Sequence, residues 1–258
     1  MTNDYGRDLA YIHHTGFSEF AESAAPGVLE ILWKHGVRDG LVVEVGCGSG
    51  ILARELARAG FDVFGFDPSP AMIALAREHN GAPAAGRQVH RRLAGATPPS
   101  GRWTGRPAAG APHFEVGAFD TIAIPPCNAI VAMGEVLNYG TFEGVRKFIA
   151  NAATKLLVFD IAERGAYPPY DERRVEGEDW SVIAIKESDG THLTRRILTF
   201  RADGDTMRRS EEVHSLELYD RAAMKAVLRE HGFRVQLRRS YGTRRLPKGH
   251  AVYVCVRP

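Results

Sequence analysis

A doubly wound α/β sheet interrupted by a long antiparallel meander is the fold class that this 258-residue sequence predicts. Two observations carry the sheet. Apolar runs such as "LVVEV" at 41–45 and "LLVFDI" at 156–161 show little alternation, as in strands covered on both faces, and helical segments stand between such runs. A third observation carries the meander: after Trp180 come three long runs, "WSVIAIKE", "THLTRRILTFR" and "TMRRSEEVHSLELY", joined by Asp189-Gly190 and Asp203-Gly204 hairpin signals.

Taken in order, Leu9, Ile12, Phe17, Phe20, Val28, Leu29, Leu32 and Trp33 recur as an apolar helical face between Asp8 and His35. Pro26 reads as the opening of a second helix and Gly36 as its stop. The strand "LVVEVG" leads through a glycine turn into "SGILARELARAG", with Leu52, Leu56 and Ala59 on one face and Gly60 as stop. The strand "FDVFGFD" leads to a helix with Ser69 as N-cap, Pro70 at its first position and Asn80-Gly81 as stop. Residues 82–113 are rich in Ala, Gly, Pro and Arg, hold no acidic residue and show no period, so they read as an exposed, mobile insertion. "FEVGAF", "AIVAMG" and "KLLVFDIA" follow as strands, the last preceded by a helix near Phe142 to Ala153. After the meander, Asp220 caps a helix that Gly232 stops, and "FRVQLRRSYG" and "GHAVYVCVRP" close the chain as two strands.

The totals narrow the function classes. Lys plus Arg number 33 against 31 Asp plus Glu, which gives no global field to attract nucleic acid. No apolar run approaches the length of a membrane span and the N-terminus carries no secretion pattern, so the expected location is cytoplasmic. The three cysteines, Cys47, Cys127 and Cys255, show neither metal spacing nor a disulfide framework. No metal is expected. The arginines around Trp103 read as part of a flexible loop rather than an RNA-binding arm.

The turn "VEVGCGSG" is where the chemistry concentrates. No Lys follows Gly50, which removes the phosphate-cradling Walker loop. Ile51 stands where a dinucleotide fingerprint needs its third glycine, which makes NAD the weaker reading. There remains a nucleoside with an amino-acid tail, as in S-adenosylmethionine. Glycines let the backbone approach the tail, Glu44 is placed to meet its ammonium, and Asp67, closing the next strand, suits two ribose hydroxyls.

These residues make the sequence resemble the class I S-adenosylmethionine-dependent methyltransferases. The resemblance rests on "VVEVGCGSGILARELARAGFDVFGFDPSPAMIALARE", "FEVGAF", "AIVAMGEVLNYG" and "EEVHSLELYDRAAMKAVLREHGF", covering most of 41–81 and 114–258. The N-terminal "DLAYIHHTGFSEFAESAAPGVLEIL" is similar to the helical cap of a bacterial small-molecule subgroup. The resemblance implies a Rossmann-like seven-stranded sheet with its last strand antiparallel. It implies one domain over 1–258: a cap over 1–40, a cofactor-binding half over 41–160, a meander roofing the substrate cleft over 161–219, and a closing helix and strand pair over 220–258.

Carried over by position, it places Glu44, Gly46, Cys47, Gly48 and Gly50 around the methionine moiety and Asp67 at the ribose. Pro68, Ser69 and Met72 fall on the adenosine side, Gly117, Ala118 and Phe119 at the adenine, and Met133, Gly134 and Glu135 near the sulfonium. Many relatives carry Asp where Ala118 stands, leaving Asp120 or backbone groups for the adenine. The stretch 84–112 and the short helix before "KLLVFD" also depart from the family pattern.

Methyl transfer mainly asks a protein to align the acceptor and exclude water. His214, on the meander, is the candidate general base. Tyr11 on the first helix is a candidate cofactor contact, and His14, Asn138 and Tyr139 are candidate substrate contacts. In Arg195-Arg196 and Arg208-Arg209, strand alternation turns one member of each pair away from the other. The expected function is methylation of a small-molecule acceptor. The alternatives are a non-catalytic binder of S-adenosylmethionine and, last, an NAD oxidoreductase.

Overall fold

The computed structural model describes residues 5–80 and 110–258. Most of the expected insertion lies outside the described residues. The seven-stranded sheet has the order β3-β2-β1-β4-β5-β13-β10, and β13 alone runs against the rest. Its strands are β1 (Leu41–Val45), β2 (Asp62–Asp67), β3 (His113–Val116), β4 (Ala129–Ala132), β5 (Leu156–Ala162), β10 (Arg234–Arg238) and β13 (His250–Val256). The closing antiparallel pair therefore follows the expectation.

Two apolar layers sandwich this sheet. On one face, α2 (Glu19–Lys34), α3 (Ile51–Arg58) and α4 (Pro70–Glu78) bury Val28, Ile31, Leu32, Leu52, Leu56 and Ile73 against Val42, Val131 and Val254. On the other, α5 (Phe142–Asn151) and α6 (Arg221–Glu230) bury Phe148, Ile149, Met224 and Leu228 against Val43, Ile130, Phe159 and Tyr253. Alternate residues of one strand serve opposite layers, which is why these strands read as continuous apolar runs. Local signals fix several ends: Ser69 accepts from Met72 N, Thr141 from Gly144 N and Asp220 from Ala223 N, each an N-cap.

The N-terminal region departs from expectation. Its break falls after α1 (Arg7–Gly16), at Phe17-Ser18, and Pro26 lies inside α2 instead of opening it. Pro26 is exposed, so the carbonyl it leaves without an intrahelical donor can turn to water. Next to it, Gly27 lets α2 touch the hairpin β11–β12 (Ser240–Tyr241, Arg244–Arg245), because a Cβ there would lie 2.1 Å from the Tyr241 carbonyl carbon. Phe17 and Trp33, read as core positions, are 39% and 43% exposed.

The meander holds four strands, one more than the sequence suggests: β6 (Tyr170–Glu176), β7 (Trp180–Ser188), β8 (His192–Asp203) and β9 (Thr206–Glu217), paired in that order. It leaves the main sheet after β5 and returns before α6, and a bridge between Glu163 and Tyr219 brings its two ends together. Helix α1 packs on it through Leu9, Ile12, Trp180, Val182 and Ile197. Buried Asp8 on α1 takes two hydrogen bonds from Arg208 on β9, at 2.7 and 2.6 Å. Arg208 thus joins α1 to the meander, while its neighbour Arg209 faces out, as strand alternation requires.

Candidate functional site

A cavity of about 300 Å³ opens at the carboxyl ends of β1, β2 and β4, the edge where open α/β sheets bind ligands. Glu44 to Ser49 form its floor. Gly46, Gly48 and Gly50 all have positive φ, at 65°, 51° and 73°, but they serve different ends. A Cβ on Gly46 would strike Val136 at 2.5 Å and one on Gly50 would strike Phe114 at 2.6 Å, so these two glycines let the turn pack. At Gly48 the nearest atom is Met72 Sδ at 4.0 Å, which leaves open space over the backbone. Gly50 itself does not line the cavity but starts α3.

Glu44 closes the floor with its carboxyl 3% exposed, and its Oε2 is buried with no hydrogen-bond partner among the described residues. Burial, with Asp67 adding its negative charge, pushes the Glu44 pKa up to about 8. An uncompensated acceptor in a sealed wall is the complement of an ammonium group. Asp67 accepts from Gly48 N at 3.0 Å and from Ser69 N at 2.9 Å, fixing its carboxylate at the cavity edge. Cys47 is buried and its thiol pKa is raised well above normal by that burial, so it lines the floor without being a nucleophile. The orphaned Glu44 oxygen, the open face of Gly48 and the fixed Asp67 fit an amino-acid tail joined to a nucleoside.

Beside the floor, Pro68, Met72, Gly117, Ala118, Phe119 and Asp120 line the next wall. Gly117 N donates to Asp67 O at 3.0 Å, and Phe119 packs edge-on against Phe148, so backbone and ring hold that wall. Ser69 does not line the cavity. It caps α4, and its hydroxyl donates to Tyr5 O at 2.5 Å.

Beyond β4, Met133 and Gly134 line the cavity, whereas Glu135 turns away from it. Glu135 is the one non-glycine with positive φ among the described residues, at 62°. Its carboxylate meets Arg195 Nη2 at 2.5 Å, His250 Nε2 at 2.7 Å and the Tyr167 hydroxyl at 2.8 Å. Burial alone would raise its pKa, but Arg195 and His250 outweigh that and hold it far below the usual range. Asp160 on β5 fixes the same loop from below by accepting from Gly134 N, Glu135 N and the Tyr241 hydroxyl. Burial raises the Asp160 pKa to about 6 against those hydrogen bonds. Strand alternation would not by itself reveal that Arg195 is sealed in this cluster, whereas Arg196 remains exposed.

Asn138, expected at the substrate, is fully buried and spent on the scaffold. Its amide nitrogen donates to Ala162 O and Glu217 O, and its carbonyl accepts from Ala162 N, which joins the turn to β5 and β9. Tyr139 does line the cavity. His214 is 0% exposed and stands behind Tyr5 and Tyr139, with ring centroids 5.1 and 5.8 Å away. It therefore does not form the cavity wall itself.

The N-terminal segment, not the meander expected to roof the cleft, covers the cavity, with Tyr5, His13, Phe20 and Ala21 in its lining and no residue of 161–219. Tyr11 faces the meander instead, donating to Asp179 with the Arg201 guanidinium 3.5 Å above its ring. His14 sits on the outside of the glycine turn, bonded to Ser49 Oγ at 2.8 Å and stacked on His79. Adjacent helical residues point about 100° apart, so the packing of α1 chooses His13 over His14 for the cavity. Burial lowers the His13 pKa to about 4, and its Nδ1 is sealed without a partner among the described residues. Tyr5 precedes α1 and carries no motif, so only the structure identifies it.

With this geometry in place, comparison with known proteins is informative. A family model described as a methyltransferase domain matches residues 42–102, the segment that supplies Glu44, the glycine turn and Asp67. A ubiquinone biosynthesis O-methyltransferase of Azorhizobium caulinodans is 45% identical over 38 residues, a match that spans 15% of this chain and 15% of that protein. Among solved structures, an S-adenosylmethionine-dependent methyltransferase from Clostridium acetobutylicum superposes with a TM-score of 0.74 at 14% identity, covering 96% of this chain and 97% of its own. The sugar N-methyltransferase KedS8 from Streptoalloteichus gives 0.70 at 17%, covering 98% and 93%. CalS10 from Micromonospora echinaspora, an amino pentose methyltransferase with S-adenosylmethionine bound, gives 0.66 at 19%, covering both chains in full at 100%. At these identities the superpositions establish the fold, and the family model supplies the cofactor segment. The chain thus carries a methyltransferase-domain segment at 42–102 within a fold that it shares with S-adenosylmethionine-dependent methyltransferases.

Proposed function

We propose that this chain transfers the methyl group of S-adenosylmethionine to a small-molecule acceptor. The single observation that carries this reading is the buried, unpartnered Glu44 carboxyl oxygen beside the open face of Gly48. The bound donor supplies a sulfonium methyl group that is electrophilic toward an amine, hydroxyl or carbon nucleophile. In this reading Glu44 holds the donor's ammonium, Asp67 its ribose hydroxyls, and Pro68, Met72 and Gly117 to Phe119 its adenosine end, with Met133 and Gly134 beside the sulfonium. Tyr139 faces the acceptor. Glu135 and Asn138 act from behind, keeping the loop after β4 in shape.

Two features favour a small acceptor. The cavity, of about 300 Å³, is overlain by Tyr5, His13, Phe20 and Ala21, a space that suits a small acceptor beside the donor. Similar structures include sugar and amino pentose methyltransferases, whose substrates are of that size class. Calorimetry with S-adenosylhomocysteine tests the donor site: micromolar binding is expected, with a loss of at least tenfold in Glu44→Gln. No binding by the unaltered protein overturns the reading. A methyl-release screen over small amines, alcohols and phenols then separates an enzyme from a non-catalytic binder.

A further inference from the structure

Deepening that reading and resting on it, we propose that Tyr139, His214 and Glu212 form a proton path out of the cavity, through which an amine or hydroxyl acceptor loses its proton as it is methylated. The path begins at the cavity wall, where the Tyr139 hydroxyl stands 3.5 Å from His214 Nδ1. It continues from His214 Nε2 to Glu212 Oε2 at 3.1 Å, while Glu212 Oε1 accepts from Gly6 N at 3.1 Å.

The donors and acceptors available give this chain one direction. An ionised carboxylate only accepts, so His214 Nε2 carries a hydrogen toward Glu212, and in a neutral ring Nδ1 is then a bare lone pair. Arginine only donates, so the Tyr139 oxygen accepts from Arg195 Nη1 at 3.5 Å and turns its own O–H elsewhere. The Tyr5 hydroxyl, also on the cavity wall, is hydrogen-bonded to Tyr139. Of the acceptors within reach of the Tyr139 hydroxyl, the Tyr5 oxygen and His214 Nδ1, the imidazole is the stronger base and is the one that can take the Tyr139 proton. Hydrogen bonds of this kind are often long before substrate binds and tighten in the complex, which accommodates the 3.5 Å separation.

The charged and titratable groups around His214 come from every element packed on it. Glu212 lies on its own strand, Arg195 directly opposite on β8, Tyr139 on the turn after β4, and Tyr5 on the N-terminal segment with His13 beyond it. Arg195 is paired with Glu135, which leaves Glu212 as the carboxylate in contact with the His214 ring.

The acceptor atom forms its bond to the methyl carbon, and the carbon–sulfur bond breaks with its electron pair passing to sulfur. The acceptor's N–H or O–H proton moves to the Tyr139 oxygen while the Tyr139 proton moves to His214 Nδ1. The resulting imidazolium, itself buried, passes its Nε2 proton to the Glu212 carboxylate, which is partly exposed and releases it to water. Tyr139 is thus a catalytic residue and His214 a positioning residue that acts through it.

Nitrogen-15 NMR of histidine-labelled protein with S-adenosylhomocysteine bound tests the path between pH 6 and 9. Because a change at fully buried His214 risks the fold, the variants are Tyr139→Phe and Glu212→Gln. The expected results are a His214 ring that carries its hydrogen at Nε2, a clear shift of its Nδ1 resonance in Tyr139→Phe, and a clear shift of its Nε2 resonance in Glu212→Gln. A ring with its hydrogen at Nδ1, an Nδ1 resonance unmoved by Tyr139→Phe, or an Nε2 resonance unmoved by Glu212→Gln overturns the path. Failure of S-adenosylhomocysteine to bind overturns the donor reading instead, and the tautomer is then read in the ligand-free protein.

Discussion

Glu44 ties stability, ligand and pH together. Its pKa of about 8 lies above the ordinary 4.5, so between those values the folded protein retains a proton that the unfolded chain has released. Stability of the ligand-free protein should therefore fall as pH rises through that window. An ammonium ligand needs the carboxylate, so binding below pH 8 expels the proton. Affinity for S-adenosylhomocysteine should climb by up to about tenfold per pH unit and level off above about 8. Calorimetry at pH 7 in two buffers of different ionisation heat should show close to one proton released, and Glu44→Gln should abolish the pH slope while stabilising the free protein above pH 8. The glycines allow a second comparison. Gly50→Ala forces a methyl to 2.6 Å from Phe114 at positive φ and should cost about 1–3 kcal/mol in denaturant unfolding. Gly48→Ala has no such clash and should cost about 1–2 kcal/mol, yet its methyl projects over the cavity floor and should weaken S-adenosylhomocysteine binding more than tenfold.

Helix α1 is held between two parts of the molecule. Asp8 grips Arg208 on the meander, while Tyr5 O and His14 grip Ser69 and Ser49 beside the donor site. The Asp8 pKa is lowered chiefly by its hydrogen bond from Arg208, so this contact stabilises the fold above the ordinary aspartate range and is lost as pH falls through the depressed value. Asp8→Asn should cost about 1.5–3 kcal/mol, and hydrogen exchange should show amides of α1 losing protection before those of the central sheet. The elements differ in how far their sequences announce them. Parallel strands and their helices were legible because buried runs and caps such as Ser69 and Asp220 are local signals. Strand β6, "YDERRVE", was not, because it is an edge strand with five charged residues whose conformation is set by pairing with β7. Pro26 misled because an exposed proline inside α2 looks like one at a helix start. That Glu44, the glycine turn and Asp67 gather at one cavity was readable from their spacing. The roof was not: Tyr5 and His13 face the cavity only because of how α1 packs, and nothing local shows that Asn138 is consumed by β5 and β9.

For the whole molecule, the cavity lies where the central sheet, the N-terminal segment and the loop after β4 converge, so a ligand there touches all three. Among the described residues, no helix is long and apolar enough to cross a membrane. S-adenosylhomocysteine at about 100 times its Kd should add about 2.7 kcal/mol, seen in a thermal scan as a rise in Tm of roughly 5–10 °C for a chain of this size. The same scan on Glu44→Gln at the same ligand concentration should show at most about half that rise, since a Kd ten times weaker leaves about 1.4 kcal/mol.

The joined ends of the meander have a different consequence. The excursion from Glu163 to Tyr219 begins and finishes at one bridge, with Arg164 N bonded to Tyr219 O at 3.1 Å, while the donor floor is drawn from β1, β2 and β4. A four-strand insert of another size or lining could be spliced between those two points without disturbing the glycine turn or Glu44. The fold thus leaves the meander free to vary while the cavity is kept, since none of residues 163–219 lines it.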